Sequence, residues 1–166
     1  KLKHFTGKHA GQDFILEPWQ IFIIANLFGF YNKDGSRRFQ TCYLEMARKQ
    51  GKTALVAALS LNSLLNDNEA APEILLAANS KDQAKIAFNL VHGFASGYDP
   101  KEKHIKRFRA DIVLKKEQGF IKCLASDSDK LDGYNCSLGI IDEYHSAPDD
   151  KVRNVIRSSM GMRTNP

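Results

Sequence analysis

Met46-Ala47-Arg48-Lys49-Gln50-Gly51-Lys52-Thr53 stands between an apolar, β-prone run, Thr41-Cys42-Tyr43-Leu44, and a helical pattern over residues 54–65. A strand, a tight glycine turn and a helix opening on Gly-Lys-Thr form the context of a phosphate-binding loop. Backbone N–H groups of the turn and of the first helical turn point at an anion, and the helix dipole favours negative charge there. Lys52 would reach the β- and γ-phosphates of a nucleotide, and the Thr53 hydroxyl would ligate Mg²⁺. The common pattern has glycine five residues before Gly51, where this chain has Met46. Taken alone, Gly-Lys-Thr also fits an exposed helix start with a solvated lysine.

A second motif bears on that choice. Ser137-Leu138-Gly139-Ile140-Ile141-Asp142-Glu143 is an apolar run ending in two carboxylates. It reads as a buried parallel strand whose carboxyl end carries acids, the end at which open α/β sheets bind ligands. Asp142 would then belong to the Mg²⁺ shell, and Glu143 would polarise the attacking water. An Asp-Glu pair by itself is more often an acidic turn; paired with Gly51-Lys52-Thr53, it points to an ATPase-type site.

The 166 residues suit one domain with a substantial core. Hydrophobic residues make up 43% and charged residues 26%, an ordinary globular balance. No apolar stretch reaches the length of a membrane span, so no membrane partner is expected. Cys42, Cys123 and Cys136 lie in apolar, strand-like settings without metal-ligand spacing, and read as buried reduced thiols. The net charge of +5 permits a polyanionic partner. Lys101, Lys103, Lys106, Arg107, Arg109, Lys115 and Lys116 crowd one segment holding only Glu102 and Asp111 as acids. Such a run is either a solvated strand face or a phosphate-contacting surface.

Read in order, residues 1–16 form an irregular arm with strand character at 14–16. Pro18 opens a helix through Ile21, Ile24, Leu27 and Phe28, closed by the turn cluster Asn32-Lys33-Asp34-Gly35-Ser36. Gln20, at that helix start, offers the donor and acceptor an adenine edge needs, although a surface glutamine beside a core Trp19 is the simpler reading. Asn66-Asp67-Asn68 closes the helix from Gly51, and 73–78 is the next buried strand. Ser80 and Gln83 form a capping box for a helix that 97–100 breaks. Residues 105–114 and 120–124 read as two strands, and a polar loop over 126–133 leads to the Asp142 strand. Asp149 and Asp150 start a last helix through Val152, Val155 and Ile156. Strands alternate with helices, so the expected fold is α/β with a mostly parallel sheet flanked by helices.

These residues together resemble the ATPase domain of the large terminase subunit of tailed phages, a P-loop NTPase of the ASCE type. The resemblance runs over nearly the whole chain: Pro18-Trp19-Gln20, the stretch from Tyr43 to Thr53, Ala77-Ala78 with Gln83-Ala84, Leu131-Asp132-Gly133, and Ile140-Ile141-Asp142-Glu143-Tyr144-His145. It also accommodates Met46, because terminase loops open with a short residue and Arg before x-x-Gly-Lys-[Ser/Thr]. It implies ATP and Mg²⁺ as cofactors, with nucleotide held by Gln20, Arg48, Lys49, Gln50, Gly51, Lys52 and Thr53. Thr53 and Asp142 would serve the metal, and Glu143, Lys52 and Arg48 catalysis. Arg48 would act on the γ-phosphate; in other relatives an arginine from a neighbouring subunit does so, and Lys130 lies near where such residues occur. The resemblance implies a motor that packages double-stranded DNA through a portal, with a small terminase subunit, as a ring on the portal in the host-cell cytoplasm. Lys103, Lys106, Arg107 and Arg109 are the candidate DNA contacts. On this reading residues 1–166 are an N-terminal fragment, truncated before the coupling strand and without the endonuclease domain.

Two other functions fit the motifs. Asp142-Glu143-Tyr144-His145 has the D-E-x-H form of superfamily 2 helicase-like translocases, which strand separation on a forked duplex would reveal. The other is a nucleotide-binding module without turnover, which binding without hydrolysis would reveal.

Overall fold

The computed structural model of the chain describes residues 1–67, 69–78, 80–125, 133–163 and 165. Helix α1 (Pro18–Gly29) begins where proline's fixed φ and missing N–H suit a first helical turn, and Gln20 Oε1 accepts the Glu17 N–H at 2.9 Å. Helix α2 (Lys52–Asn66) follows Gly51, whose φ of 83° turns the chain into the helix. Strand β1 (Glu73–Ala78) comes next, then α3 (Lys81–Tyr98), whose N-terminus is capped by the Gln83 N–H donating to Ser80 Oγ at 3.2 Å. An antiparallel meander of β2 (Ile105–Arg107), β3 (Asp111–Leu114) and β4 (Phe120–Ala125) leads to β5 (Leu138–Asp142) and α4 (Lys151–Ser159).

Among the described residues the sheet order is β2-β3-β4-β1-β5. β1 runs parallel to both β4 and β5, with Leu76 opposite Cys123 on one side and Ile140 on the other. The sheet is therefore mixed: parallel at its centre and antiparallel on the β4 side. β1 is buried on both faces, and its side chains divide by strict alternation. Ile74 and Leu76 join the core beneath α2 and α3, with Leu61, Leu64, Phe88, Val91, Phe94, Ile112 and Ile121. Leu75 and Ala77 join a smaller core with Leu124, Cys136 and Ile156 of α4. α4 lies close on β5, since a Cβ at Gly139 would overlap the Ile156 side chain.

Several expectations are corrected. Residues 41–44 pair with no strand among the described residues; Cys42 and Tyr43 are exposed, so Cys42 is not a buried thiol. Among the described residues β5 ends the sheet on that side and pairs with β1 alone, and 41–44 do not add to its outer edge. A β-prone run that docks on no strand edge forms no ladder, whatever its propensity. The single strand expected over 105–114 is two, because the chain turns at 108–110, where the Phe108 N–H donates to Asp111 O at 2.8 Å. Residues 14–16 carry no strand; the arm is tied by an isolated bridge between Lys3 and Asp13, and Leu2 and Phe14 pack on the larger core. Asn68 and residues 126–132 lie outside the described residues. None of the described helices is long and apolar enough to cross a membrane.

Candidate functional site

The parallel pair β1 and β5 ends in register at Ala78 opposite Asp142. This places the Asp142 carboxylate at the carboxyl edge of the sheet, mostly buried, with Oδ1 accepting the Glu143 N–H at 3.0 Å. Glu143 itself leaves the strand in a left-handed conformation, φ 54° and ψ 37°. That conformation is costly for a residue with a Cβ and persists where neighbouring bonds fix it. Here the Ser146 N–H and hydroxyl both donate to Glu143 O, at 3.0 and 2.9 Å.

Gly51 and Lys52 approach from the other side. The Leu55 N–H donates to Gly51 O at 3.0 Å, the first bond of α2, and Lys52 is the first helical residue. Its Nζ lies 3.4 Å from Asp142 Oδ1 and 3.4 Å from Glu143 Oε1. Burial opposes the ammonium charge, but the two carboxylates outweigh it together, as charges and as hydrogen-bond acceptors, and hold the Lys52 pKa above its ordinary value. Residues far apart in sequence thus meet through their charged atoms at the start of α2.

Gln20 belongs to the same site. It is buried at 3% exposure, and its Nε2 would lie 3.6 Å from a Cβ built on Gly51, so its amide reaches the glycine turn. Its Oε1 meanwhile holds the start of α1. Thr53 is half-buried in the first turn of α2. Arg48, Lys49 and Gln50 are exposed on the loop, with Lys49 at a φ of 65°. Lys130, Leu131 and Asp132 lie outside the described residues.

Thr53 and Asp142 supply hard oxygen donors close to Lys52, the chemistry Mg²⁺ selects. No group of three or more His, Cys, Asp or Glu with metal-binding placement occurs among the described residues.

The basic segment is elsewhere. β2 and β5 are the two ends of the sheet order, so Lys103, Lys106, Arg107 and Arg109 do not join the Lys52 site. Lys103, Lys106 and Arg109 are exposed, and Lys106 Nζ stands 5.0 Å from the Phe108 ring centre. Arg107 turns inward: it donates to Asp99 O at 2.7 Å and Ala95 O at 3.4 Å, and pairs with Glu102 at 3.4 Å. Its guanidinium closes the end of α3.

Two residues that the sequence left without a role surround Glu143: Ser146, which holds its carbonyl, and His145, whose Nδ1 lies 3.5 Å from Glu143 Oε2. The D-E-x-H spelling was the available signal for His145. Beside them, Tyr43, Tyr144, His145, Pro148, Asp149 and Asp150 line an open cleft, and the Tyr144 hydroxyl donates to Asp150.

A family model described as the terminase large subunit, ATPase domain, matches residues 18–166. The chain is similar to the terminase large subunit of Enterobacteria phage HK97, with 29% identity over 96% of this chain and 32% of the phage protein. It is also similar to the crystal structure of the HK97 bacteriophage large terminase, with a TM-score of 0.80 and 26% identity over 99% of this chain and 34% of that one. The chain thus spans about a third of the length of these relatives.

Proposed function

Because the chain belongs to the family of terminase large-subunit ATPase domains, we propose that it is the Mg²⁺-dependent, ATP-hydrolysing unit of a motor that drives double-stranded DNA into a viral procapsid. The observation that carries this reading is the convergence of Lys52 Nζ, within 3.4 Å, on the carboxylates of Asp142 and Glu143 at the open end of β5. In this reading the loop from Arg48 to Gly51 and the first N–H groups of α2 cradle the phosphates, and Lys52 exchanges its carboxylate partners for the β- and γ-phosphates. Gln20 orients the base from beside Gly51. Thr53 and Asp142 would hold Mg²⁺, which supplies charge neutralisation on the phosphates when bound. Glu143 accepts a proton from the attacking water, and Arg48, always charged and planar, faces the charge that develops on the γ-phosphoryl group.

The partners follow from the same reading: duplex DNA, a portal protein, a small terminase subunit and further copies of the subunit in a ring, in the host-cell cytoplasm. Exposed Lys103, Lys106 and Arg109 are the DNA-contact candidates that the fold leaves facing solvent.

The test is a pair of substitutions in the intact protein. Glu143→Gln should retain ATP binding and lower turnover by about 10²–10⁴-fold, the range expected for loss of a general base. Lys52→Ala should weaken ATP binding itself. Wild-type turnover in Glu143→Gln would refute the assignment.

A further inference from the structure

We propose that the face of the sheet turned away from α2 and α3 grips duplex DNA by its phosphates, through Lys106 of β2 and Lys122 of β4; the inference rests on the DNA-motor reading above. Ile105, Ile112 and Ile121 belong to the core beneath α2 and α3, so strand alternation turns Lys106, Val113, Phe120 and Lys122 to the other face. There Lys106 stands opposite Val113, and Val113 opposite Phe120, in a row across three strands. On that face α4 packs at the β5 end, through Ile156 against Gly139. Toward β2 the side chains come to the surface: Phe120, Lys122 and Val113 are half-buried and Lys106 is exposed.

The two lysines share a setting. Lys106 Nζ stands 5.0 Å from the centre of the Phe108 ring, and Lys122 Nζ 5.6 Å from the centre of the Tyr134 ring, which itself packs on Phe120. Among the described residues neither ammonium is paired with a carboxylate, although Asp111 lies opposite Lys122 across the β3–β4 ladder. A ring orients a lysine without neutralising it, so an arriving phosphate has no ion pair to break. Strand spacing and rise per residue put the two Cα atoms roughly 12 Å apart, a span comparable with the width of the major groove. That separation exceeds the screening length of about 8 Å at physiological salt, so the two charges repel each other little. A single strand is held largely by bases stacked on aromatic rings; here the ammonium groups stand over the rings, and the surface offers charge rather than stacking. Lysine is depleted in protein–protein interfaces, whereas lysine contacts to phosphate suit a duplex that is gripped without reading its sequence. Lys122 lies outside the basic run of residues 101–116, and only the sheet register brings it to the same face as Lys106.

The experiment measures duplex binding by fluorescence anisotropy across a salt series, on two unrelated sequences. The proteins are the intact wild type, Lys122→Ala, Lys122→Arg and the double variant Lys106→Ala/Lys122→Ala. ATP turnover without DNA and binding of poly-glutamate are measured beside it, and turnover is expected to stay at the wild-type level. Lys122→Ala should flatten the log–log salt slope by up to ~0.9 and the double variant by up to ~1.8, equally on both sequences. Lys122→Arg, which keeps the charge, should keep the wild-type slope. A slope lost in Lys122→Arg as in Lys122→Ala, or weakening on one sequence only, would overturn the inference. So would loss of poly-glutamate binding with duplex binding intact, which would make this a surface for an acidic protein. If the wild-type protein binds duplex with a salt-dependent affinity that none of these variants changes, this inference alone fails. If the wild-type protein does not bind duplex DNA, the DNA-motor reading fails and takes this inference with it.

Discussion

Asp99 shows how one side chain can hold a junction that no motif announces. Its carboxylate accepts three backbone N–H groups, from Lys103 at 2.8 Å, His104 at 2.7 Å and Ile105 at 3.0 Å, and so joins the end of α3 to the start of β2. Burial opposes the carboxylate charge, but the N–H groups of His104, Ile105 and Lys103, with the charge of His104 adding to them, pull its pKa down to about 2. An unfolded chain would titrate this group near ~3.9. Because the folded value is the lower one, the stabilisation is fully present above about pH 4 and disappears as pH falls toward 2. Asp99→Asn should therefore lower the urea midpoint at pH 7 and flatten its decline between pH 4 and 2. An unchanged acid limb would mean that Asp99 contributes nothing to it. In the sequence, Asp99 was visible only as part of a helix-breaking Gly97-Tyr98-Asp99-Pro100. That Lys52, Asp142 and Glu143 come together was legible, because a helix start and a strand end are where those residue types were sought. What Asp99 does depends on which N–H groups the turn brings to it, and residue type does not carry that.

Legibility at the scale of elements follows the same division. β1 and β5 were readable as apolar runs, α2 by its Gly-Lys-Thr start and repeating leucines, and α3 by its capping pattern, signals that sit within or beside each element. Residues 41–44 and 105–114 were misread because a strand also needs a partner, and pairing is a property of two segments. The turn at 108–110 makes β2 and β3 a hairpin whose register sets Ile105 against Leu114 and Arg107 against Ile112. This hairpin also divides the basic run into two roles. Neutralising Lys103, Lys106 and Arg109 together should leave stability nearly unchanged and, if the hairpin grips phosphates, weaken DNA binding equally on unrelated sequences. The log–log salt slope should then flatten by up to ~0.9 for each phosphate no longer neutralised. Arg107→Ala should behave differently, costing about 1–3 kcal/mol of stability because the carbonyls of Ala95 and Asp99 lose their donor. Thermal melts beside salt titrations of DNA binding separate the two. An unchanged slope in the triple variant would leave the segment as a solvated edge.

The molecule as a whole places a charge cluster at each end of α2. At the N-terminal end Lys52 faces Asp142 and Glu143; at the C-terminal end Asp67, just past the helix, pairs with Arg37. The second pair is far more buried, with side-chain exposures of 8% and 9%, and it gathers distant segments. Ser63 Oγ donates to Asp67 Oδ2 at 2.7 Å, the Arg37 guanidinium stands 4.7 Å from the Phe28 ring centre, and the Arg37 N–H donates to Asn165 Oδ1 at 2.9 Å. Arg163 adds a parallel tie, donating to Ala70 O, Ala71 O and Asn135 O at 2.6–2.8 Å. The chain after α4 is thereby fastened across the end of α2 and to the residues that precede β1. A buried pair of this kind need not add stability over well-packed apolar residues, but removing one partner strands the other's charge, at a cost of about 3–5 kcal/mol. Arg37→Ala and Asp67→Ala should each lose about that much in urea unfolding, and the double variant should lose much less than the sum of the two. A helix of 15 residues is about 22 Å long, so nucleotide affinity should stay at the wild-type level in any variant that remains folded. Strictly additive losses would mean that the two side chains do not interact. A loss of ATP affinity in folded Arg37→Ala would mean that α2 transmits strain between its ends rather than simply holding them apart.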